Sequence, residues 1–195
     1  MKTTRQIRRR LAVFVTVLGL AAYAAGPVGA ETTTIDVNGG TLSSTTNSIS
    51  FSTVTLDGTD TTTTGNATWT VVDPTGTGAG WNITVVSTDI TGLEVDGLTT
   101  RTIDIDAAGG DQDLLVSVAS IAVTTGNGLP TTAVGSNTDV PFTGASALKI
   151  LSAAADDGMG TFTYVPTFTL EVPAETYASA GTFDGTITVT IASGP

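Results

Sequence analysis

Short stretches of the chain after residue 30 alternate between apolar and polar side chains. In WNITV, residues 81–85, every second residue is large and apolar, and ATWTV at 67–71 follows the same pattern. Successive side chains of a β-strand point to opposite faces, so a period of two predicts strands with one buried and one polar face. No part of this region has a convincing helical period of 3.6 residues. The pattern therefore favours an all-β protein.

About nine segments carry the alternation. They are the Thr-rich stretch after Glu31 and residues 49–52, 67–71, 81–85, 103–106, 114–123, 147–151, 168–172 and 187–191. Thr, Val and Ile prefer pleated backbone, and the glycines and Asp-Gly pairs between the segments are typical of turns. Two sheets packed face to face bury one apolar face of each strand. We therefore predict a single-domain β-sandwich of about nine mainly antiparallel strands over residues 31–195.

Two polar segments are predicted to be surface connections. The first, 56–66, reads LDGTDTTTTGN, and the second, 124–146, is rich in Thr, Gly, Asn and Pro. A connection as long as the second is unusual in a compact domain and often has a function. Neither segment indicates a boundary between domains.

The first thirty residues are typical of a secretory signal peptide. Five basic residues precede an apolar stretch at 11–25, and the small residues just before Glu31 offer a cleavage site. A membrane-spanning helix needs about 20 apolar residues, and this stretch is shorter. We expect cleavage after Ala30 and export of the chain from Glu31 onward.

Export would change the charge of the protein. The whole chain has a net charge of −11, but five of its seven basic residues precede residue 30 and all 18 acidic residues follow it. The exported chain keeps only Arg101 and Lys149 and has a net charge of −16. Such a surface repels nucleic acid and anionic lipid. We expect no nucleic-acid partner and no membrane association after cleavage, whereas neutral sugars, cationic partners and divalent ions are compatible with this charge.

The chain contains neither Cys nor His. Their absence excludes disulfides, Ser-His-Asp and Cys-His nucleophiles, and histidine metal sites. Any chemistry would have to depend on carboxylates, and no two acids stand in a pattern that indicates acid–base catalysis. We therefore expect a protein that is not an enzyme.

Both tryptophans lie in one stretch, TWTVVDPTGTGAGWNITV, at 68–85. The octet between them, 73–80, begins with Asp-Pro and contains three glycines, which is turn chemistry. We expect Trp69 and Trp81 to lie on the two strands of a hairpin and to face the same core. An alternative places one indole at a sheet edge, where it would stack on a sugar ring.

This stretch resembles the first motif of the WxL domain, which occurs on secreted proteins of Gram-positive bacteria. The motif stands here as Gly80-Trp81-Asn82-Ile83, with Ile in place of Leu. The C-terminal stretch FTLEVPAETYASAGTFDGTITVTIASGP, 168–195, is similar to the final part of that domain. The second Trp-x-Leu of the family falls at 189–191, where Val replaces Trp.

The resemblance implies a non-catalytic protein that attaches to the cell wall, through peptidoglycan or other glycan, and that joins other surface proteins in complexes. It implies no cofactor. We expect the contact surfaces to be the loops 73–80 and 124–146. The candidate ligand-binding residues are Trp81, Gly80, Ile83 and Trp69.

Two further hypotheses stay open. In IDIDAAGGDQD, the carboxylates of Asp104, Asp106, Asp111 and Asp113 bracket a Gly-Gly turn, and calcium favours clustered hard oxygen ligands. These charges are equally compatible with a solvated hairpin that resists edge aggregation. Separately, the extended segment ETTTIDVNGG at 31–40 could add as a strand to a neighbouring copy, which would make the protein a structural or filament subunit.

Overall fold

The computed structural model describes residues 34–105, 114–132, 140–142 and 146–195. Within these ranges the chain forms twelve strands and no helix. The strands are β1 (Ser43–Thr45), β2 (Thr61–Asn66), β3 (Trp69–Asp73), β4 (Trp81–Ser87), β5 (Ile90–Leu93), β6 (Thr100–Ile103), β7 (Leu114–Gly126), β8 (Thr131–Thr132), β9 (Val140–Pro141), β10 (Leu148–Ala153), β11 (Gly160–Val172) and β12 (Ile187–Ser193). They belong to a compact unit that begins at Asn38. In the preceding unit the described residues, 34–37, are exposed and have no regular secondary structure.

The largest sheet is organised around β11. One edge of β11 pairs antiparallel with β7 along nearly its whole length. The other edge pairs with β3 at residues 160–164 and with β2 at residues 167–172. β1 extends the sheet beyond β3, and β9 extends it beyond β7. The 13 residues of β11 thus form the central strand of a six-stranded sheet.

Pro166 lies in the middle of β11, although a residue without an N–H normally interrupts a central strand. On one side, Pro166 falls in the gap between the ladders to β3 and β2, opposite the connecting residues 67–68. On the other side, the register with β7 shifts between Val165 and Pro166, so Ala119 forms a bulge. The strand accommodates Pro166 because both neighbouring ladders are interrupted at that point.

The second sheet has the strand order β12-β4-β10-β8. Its strand β4 pairs antiparallel with β12 on one edge and with β10 on the other. Strands β5 and β6 form a separate two-stranded sheet, which is hydrogen-bonded to the segment 178–184. The described residues therefore form two large antiparallel sheets and one small one.

One hydrophobic core lies between the two larger sheets. Every second residue of β3, β4 and most of β11 is buried. The ring of Trp81, in the second sheet, packs against Phe162, in the first, with centroids 5.9 Å apart. Each buried side chain of this size contributes roughly 1.5–3 kcal/mol. The predicted all-β sandwich is confirmed.

The predicted hairpin between the two tryptophans is wrong. Strand β3 pairs with β1 and β11, whereas β4 pairs with β10 and β12, so the two strands belong to different sheets. The octet 73–80 carries the chain from one sheet to the other. Both Trp69 and Trp81 are nevertheless buried in the same core. Alternation indicates which face of a strand is buried, but it does not indicate which strand lies beside it.

Some predicted strands and connections also differ from the structure. Residues 49–52 lie outside any strand, although Ile49 and Phe51 pack against the core. The connection predicted at 56–66 contains β2, and the one predicted at 124–146 contains the end of β7 together with β8 and β9. Thr-rich and Gly-rich strands without large apolar residues resemble loops in composition, so the sequence pattern does not separate the two.

The predicted signal peptide, 1–30, lies outside the described residues and stays a prediction. Residues 31–33 of the first predicted strand lie outside them as well, and no strand precedes Ser43 in the part that is described. No helix with the length and hydropathy to cross a membrane occurs among the described residues.

Candidate functional site

Loops from four parts of the chain meet at one end of the sandwich. They are residues 73–80, 126–130, 154–160 and 194–195, which we call the glycine-loop end. Of the eleven described residues with a positive φ, nine lie here: Gly76, Gly78, Gly80, Gly126, Gly128, Asp156, Gly158, Gly160 and Gly194. Such backbone conformations favour glycine. The surface therefore has a main-chain shape set by turns rather than by long side chains.

Asp73 begins the first of these loops with a turn made by its own side chain. Its Oδ1 accepts hydrogen bonds from the Thr75 N–H at 3.0 Å and the Thr75 hydroxyl at 2.7 Å. The Thr75 hydroxyl lies 3.1 Å from that of Thr77, whose Oγ1 also accepts from the Ala79 N–H at 3.3 Å. Short polar side chains thus hydrogen-bond to nearby backbone, which orders the DPTGT sequence as a loop.

Trp81 holds the β10–β11 loop from the interior of the protein. Its Nε1 donates a hydrogen bond of 2.9 Å to the Gly158 carbonyl oxygen, and both residues are buried. Gly158 has a φ of 77°, and a Cβ there would lie 2.3 Å from the Ala153 Cβ and 2.7 Å from Trp81 Nε1. Glycine at this position lets the loop close over the indole.

Gly80 and Ile83 connect the same motif to its neighbours. A Cβ on Gly80 would lie 2.4 Å from the Ala153 carbonyl oxygen, so glycine permits the close approach of the end of β10. The Gly80 carbonyl accepts a hydrogen bond of 3.0 Å from the Gly194 N–H. Ile83 is buried and pairs with Leu151 on one side and Ile191 on the other. The Gly-Trp-x-Ile motif thus joins the glycine-loop end to the core.

The β10–β11 loop brings the two predicted contact loops together. The Asp156 N–H donates to the Gly78 carbonyl at 2.8 Å, within 73–80. On its other side, Asn127 Nδ2 donates to the Asp156 carbonyl at 3.1 Å, and Asn127 Oδ1 accepts from the Met159 N–H at 3.2 Å. Sequence reasoning missed this third loop, although the Asp-Gly pair in ADDGMG, 155–160, is a turn signal that could have indicated it.

Trp69, the other tryptophan, lies in the first sheet. Its Nε1 donates to the Asn47 carbonyl at 3.1 Å, and its ring meets Tyr164 edge-on at 5.7 Å between centroids. Its ring also packs against Phe168 at 5.9 Å. Trp69 and Trp81 are each at most 1% exposed. An indole stacked on a sugar at a sheet edge does not fit this burial, because neither ring offers a free face.

The stretch where the second Trp-x-Leu of the family would stand lies in β12. Val189 is half-buried opposite Val85, and Ile191 is half-buried opposite Ile83. Pairing in this region is described for one edge of β12 only, with β4. Val189 therefore packs partly against the core without reaching the glycine-loop end.

The glycine-loop end is acidic and polar. Asp156 and Asp157 are exposed in it, whereas Asp73 is buried. The two basic residues after position 30 lie elsewhere: Arg101 in β6, where it contacts Glu94 and covers the Tyr177 ring at 4.1 Å, and Lys149 in β10. A ligand at this end would therefore meet hydroxyl, amide, carboxylate and backbone groups rather than cations.

The residues of the calcium hypothesis are mostly outside the described ranges. Asp104 is exposed just after β6, and Asp106, Asp111 and Asp113 lie in the segment that is not described. Among the described residues no group of three or more acidic side chains could hold a metal ion. The calcium site stays a prediction.

Loops at one end of a sandwich are a common location for binding residues. The family model of the WxL domain, described as a surface cell wall-binding domain, matches residues 30–195. The chain therefore belongs to the WxL domain family and is a protein of the cell surface and cell wall. No curated protein and no solved structure matches it. Its family motif is the segment that ties the glycine-loop end to the core.

Proposed function

We propose that this protein attaches non-covalently to wall glycan, such as peptidoglycan, through its glycine-loop end and catalyses no reaction. One observation carries the proposal: the hydrogen bonds of Asp156 and Asn127 join the loops at 73–80 and 126–130 into one surface. Membership of a cell wall-binding family supports attachment to wall components. The choice of this surface and of glycan as ligand is our inference.

The groups exposed at this end suit a neutral polyhydroxylated ligand. Thr77 offers a hydroxyl, Asn127 an amide, and Asp156 and Asp157 carboxylates that accept hydrogen bonds from sugar hydroxyls. The turns fix the backbone before a ligand arrives, which lowers the entropy cost of binding. Since no cation lies in these loops, affinity would depend on hydrogen bonds and apolar contact and would change little with salt.

In this proposal the buried candidate residues act as positioning residues. Trp81 is hydrogen-bonded to Gly158, and Gly80 packs against the end of β10, so both support the loops without touching a ligand. Ile83 fills the core beneath them, and Trp69 stabilises the opposite sheet. Their substitution would alter wall binding through the shape of the loops.

A pull-down of the exported chain, 31–195, with purified peptidoglycan tests the proposal. We expect the protein to stay on the peptidoglycan at high salt. Denaturant should release it with an unchanged mass, because no covalent bond forms. The double variant Asp156→Asn/Asp157→Ala should bind at least about tenfold more weakly, since two hydrogen-bonding carboxylates are lost. Asn tolerates the positive φ of residue 156, so the fold should persist.

The matched control is Asp96→Asn/Asp184→Ala. It also removes two carboxylate charges, but from exposed residues beside the β5–β6 sheet. That sheet lies at the other end of the sandwich strands. We expect this variant to be retained like the natural protein, because neither residue lies at the glycine-loop end. The comparison separates a general change in net charge from loss of the contact groups. Equal weakening in both variants, or no retention on any wall preparation, would reject the glycine-loop end as the binding surface.

A further inference from the structure

Along the second half of β7, Ala119–Gly126, one edge of the first sheet has no strand partner among the described residues. One side of it pairs with β11 as far as Gly160. On its other side β9 pairs only at Leu115 and Val116, and no described strand pairs beyond that point. We call this stretch the open half of β7. It offers a row of backbone N–H and C=O groups that another strand could pair with.

An apolar groove runs beside the open half of β7. The register places Val123 opposite Phe162 and Ile121 opposite Tyr164, so both side chains point to the core face of the sheet. Val123 is nevertheless 43% exposed. Residues 118–121 of β7 line one side of the groove, and Leu129, Pro130 and Thr131 line the rest. A strand added at this edge would place its inward side chains in the groove.

The open half of β7 lacks two of the common protections of a sheet edge, although register shifts in its ladder to β11 leave bulges at Ala119 and Thr124. Its sequence, ASIAVTTG, contains no charged residue and no proline, although edges are commonly guarded by both. The acidic residues of the chain therefore do not repel a partner at this particular edge. A strand with few charges can pair here without placing like charges opposite each other.

The chain itself carries a segment with the matching pattern. Residues 34–38 read TIDVN, and Ile35 and Val37 are 84% and 85% exposed. Thr34–Val37 lies outside the compact unit and forms no strand. Its alternation would turn both apolar side chains to one face of a strand while Asp36 faces solvent. Five extended residues span about 17 Å, well within the roughly 27 Å of the open half of β7.

We propose that residues 34–38 of one copy of this protein add as a β-strand to the open half of β7 of a second copy. Ile35 and Val37 enter the groove beside Ile121 and Leu129, next to the exposed side chain of Val123. Backbone pairing supplies much of the affinity, and the groove selects alternating apolar side chains. Because the acceptor edge is uncharged and the donor carries only Asp36, the contact places no like charges opposite each other, and only the long-range repulsion between two chains of charge −16 opposes it. The inference does not rest on the proposed wall binding, but the groove shares Leu129 and Pro130 with the glycine-loop end, so the two partners would lie side by side.

Sedimentation velocity of the exported chain over a range of concentrations tests the inference. We expect the average sedimentation coefficient to rise with concentration, and more steeply at higher salt as repulsion is screened. Ile35→Asp/Val37→Asp should weaken association at least about tenfold, since two apolar side chains no longer enter the groove. Both positions lie outside the compact unit, so the fold should be unchanged. Val95→Asp, the same change at a residue 74% exposed after β5, should leave association intact.

Engineered cysteines identify the contact directly, because the natural chain has none. Mixing Val37→Cys protein with Thr124→Cys protein under mild oxidation should give a disulfide-linked heterodimer, whereas Val95→Cys with Thr124→Cys should not. A monomer at every concentration would overturn the inference, as would association that survives Ile35→Asp/Val37→Asp. So would a Val37→Cys/Thr124→Cys chain that links only within itself, since the segment would then pair with its own β7.

Discussion

The Trp81 indole N–H donates a 2.9 Å hydrogen bond to the carbonyl oxygen of Gly158, which lies 77 residues further along the chain. This bond joins the first residue of β4 to the loop between β10 and β11. The same loop contacts both neighbouring loops through Asp156 and Asn127. The tryptophan of the family motif therefore supports the surface that we assign to wall binding, although no part of its ring is exposed.

Gly158→Ala should destabilise the fold strongly. The new Cβ would overlap the Ala153 Cβ and crowd Trp81 Nε1, and residue 158 would still need a positive φ. We expect a loss of at least about 3 kcal/mol in the free energy of unfolding, measured by urea titration. Gly76→Ala is the control, because its φ is 67° but no atom lies within 4 Å of its Cβ. It should cost only about 1–2 kcal/mol. Equal losses would show that the crowding at Gly158 is relieved by movement of the loop.

Trp81→Phe should weaken wall binding as well as stability. It leaves the buried Gly158 carbonyl without its donor and opens space in the core, which together cost about 2–4 kcal/mol. Trp69→Phe removes a comparable ring and a bond to Asn47, far from the loops that we assign to binding. We expect both variants to unfold more easily, but only Trp81→Phe to lose peptidoglycan retention at a temperature where both are folded. If the two variants lose peptidoglycan retention in proportion to their loss of stability, Trp81 has no specific role in positioning the loops.

Tyr164→Phe should stabilise the protein by about 1 kcal/mol. The Tyr164 hydroxyl and the Ser44 hydroxyl are both buried and neither makes a hydrogen bond of normal geometry. Removing an unsatisfied buried hydroxyl relieves its desolvation cost while the ring keeps its contact with Trp69. Calorimetry of this variant and of the exposed Tyr177→Phe, where no change is expected, checks the result. A lower melting temperature for Tyr164→Phe would indicate that the hydroxyl is satisfied, for example by a bound water.

The same side chain should make stability depend on alkaline pH. Burial raises the pKa of the Tyr164 phenol above its usual range, opposed in part by the neighbouring Ser44 hydroxyl. In the unfolded chain a tyrosine titrates near about pH 10. The folded state therefore holds this proton more tightly than the unfolded chain. The contribution of the protonated phenol to the free energy of unfolding is complete below pH 10 and falls by up to about 1.4 kcal/mol per pH unit above it. Urea titrations at pH 8 and pH 11 should show a smaller loss for Tyr164→Phe than for the natural protein; identical losses would exclude Tyr164 as the cause.

Asp73→Ala should loosen the loop at 73–80. The change removes the acceptor of both Thr75 hydrogen bonds at a residue that is only 4% exposed. We expect a loss of about 1–2 kcal/mol in unfolding free energy and faster amide exchange in the loop. Asp73→Asn keeps an acceptor oxygen and should recover at least half of the loss. No recovery would mean that the carboxylate charge, rather than the turn geometry, stabilises the loop.

Much of the fold follows from local pattern. The alternation in WNITV predicts that Trp81, Ile83 and Val85 share a buried face, and the structure buries all three. The Asp-Pro and glycines of 73–80 predict a turn, and Gly-Trp-Asn-Ile at 80–83 resembled a motif of the WxL domain, whose family model matches residues 30–195. Strand β2 was not predicted, because the polar sequence TTTTGN has no apolar alternation. Its residues form a strand through backbone hydrogen bonds to β11.

By itself the sequence determined the all-β class, the buried face of its clearest strands, the acidic charge and the turn chemistry of the loops, because these depend on residues close together in the chain. Only the tertiary structure decided which strands are neighbours. It placed Trp69 and Trp81 in different sheets, and it brought residues 78, 127 and 156 to one surface. The physical reason is that a period of two fixes a strand's face, whereas its partner is selected by packing and hydrogen bonds between residues far apart in sequence.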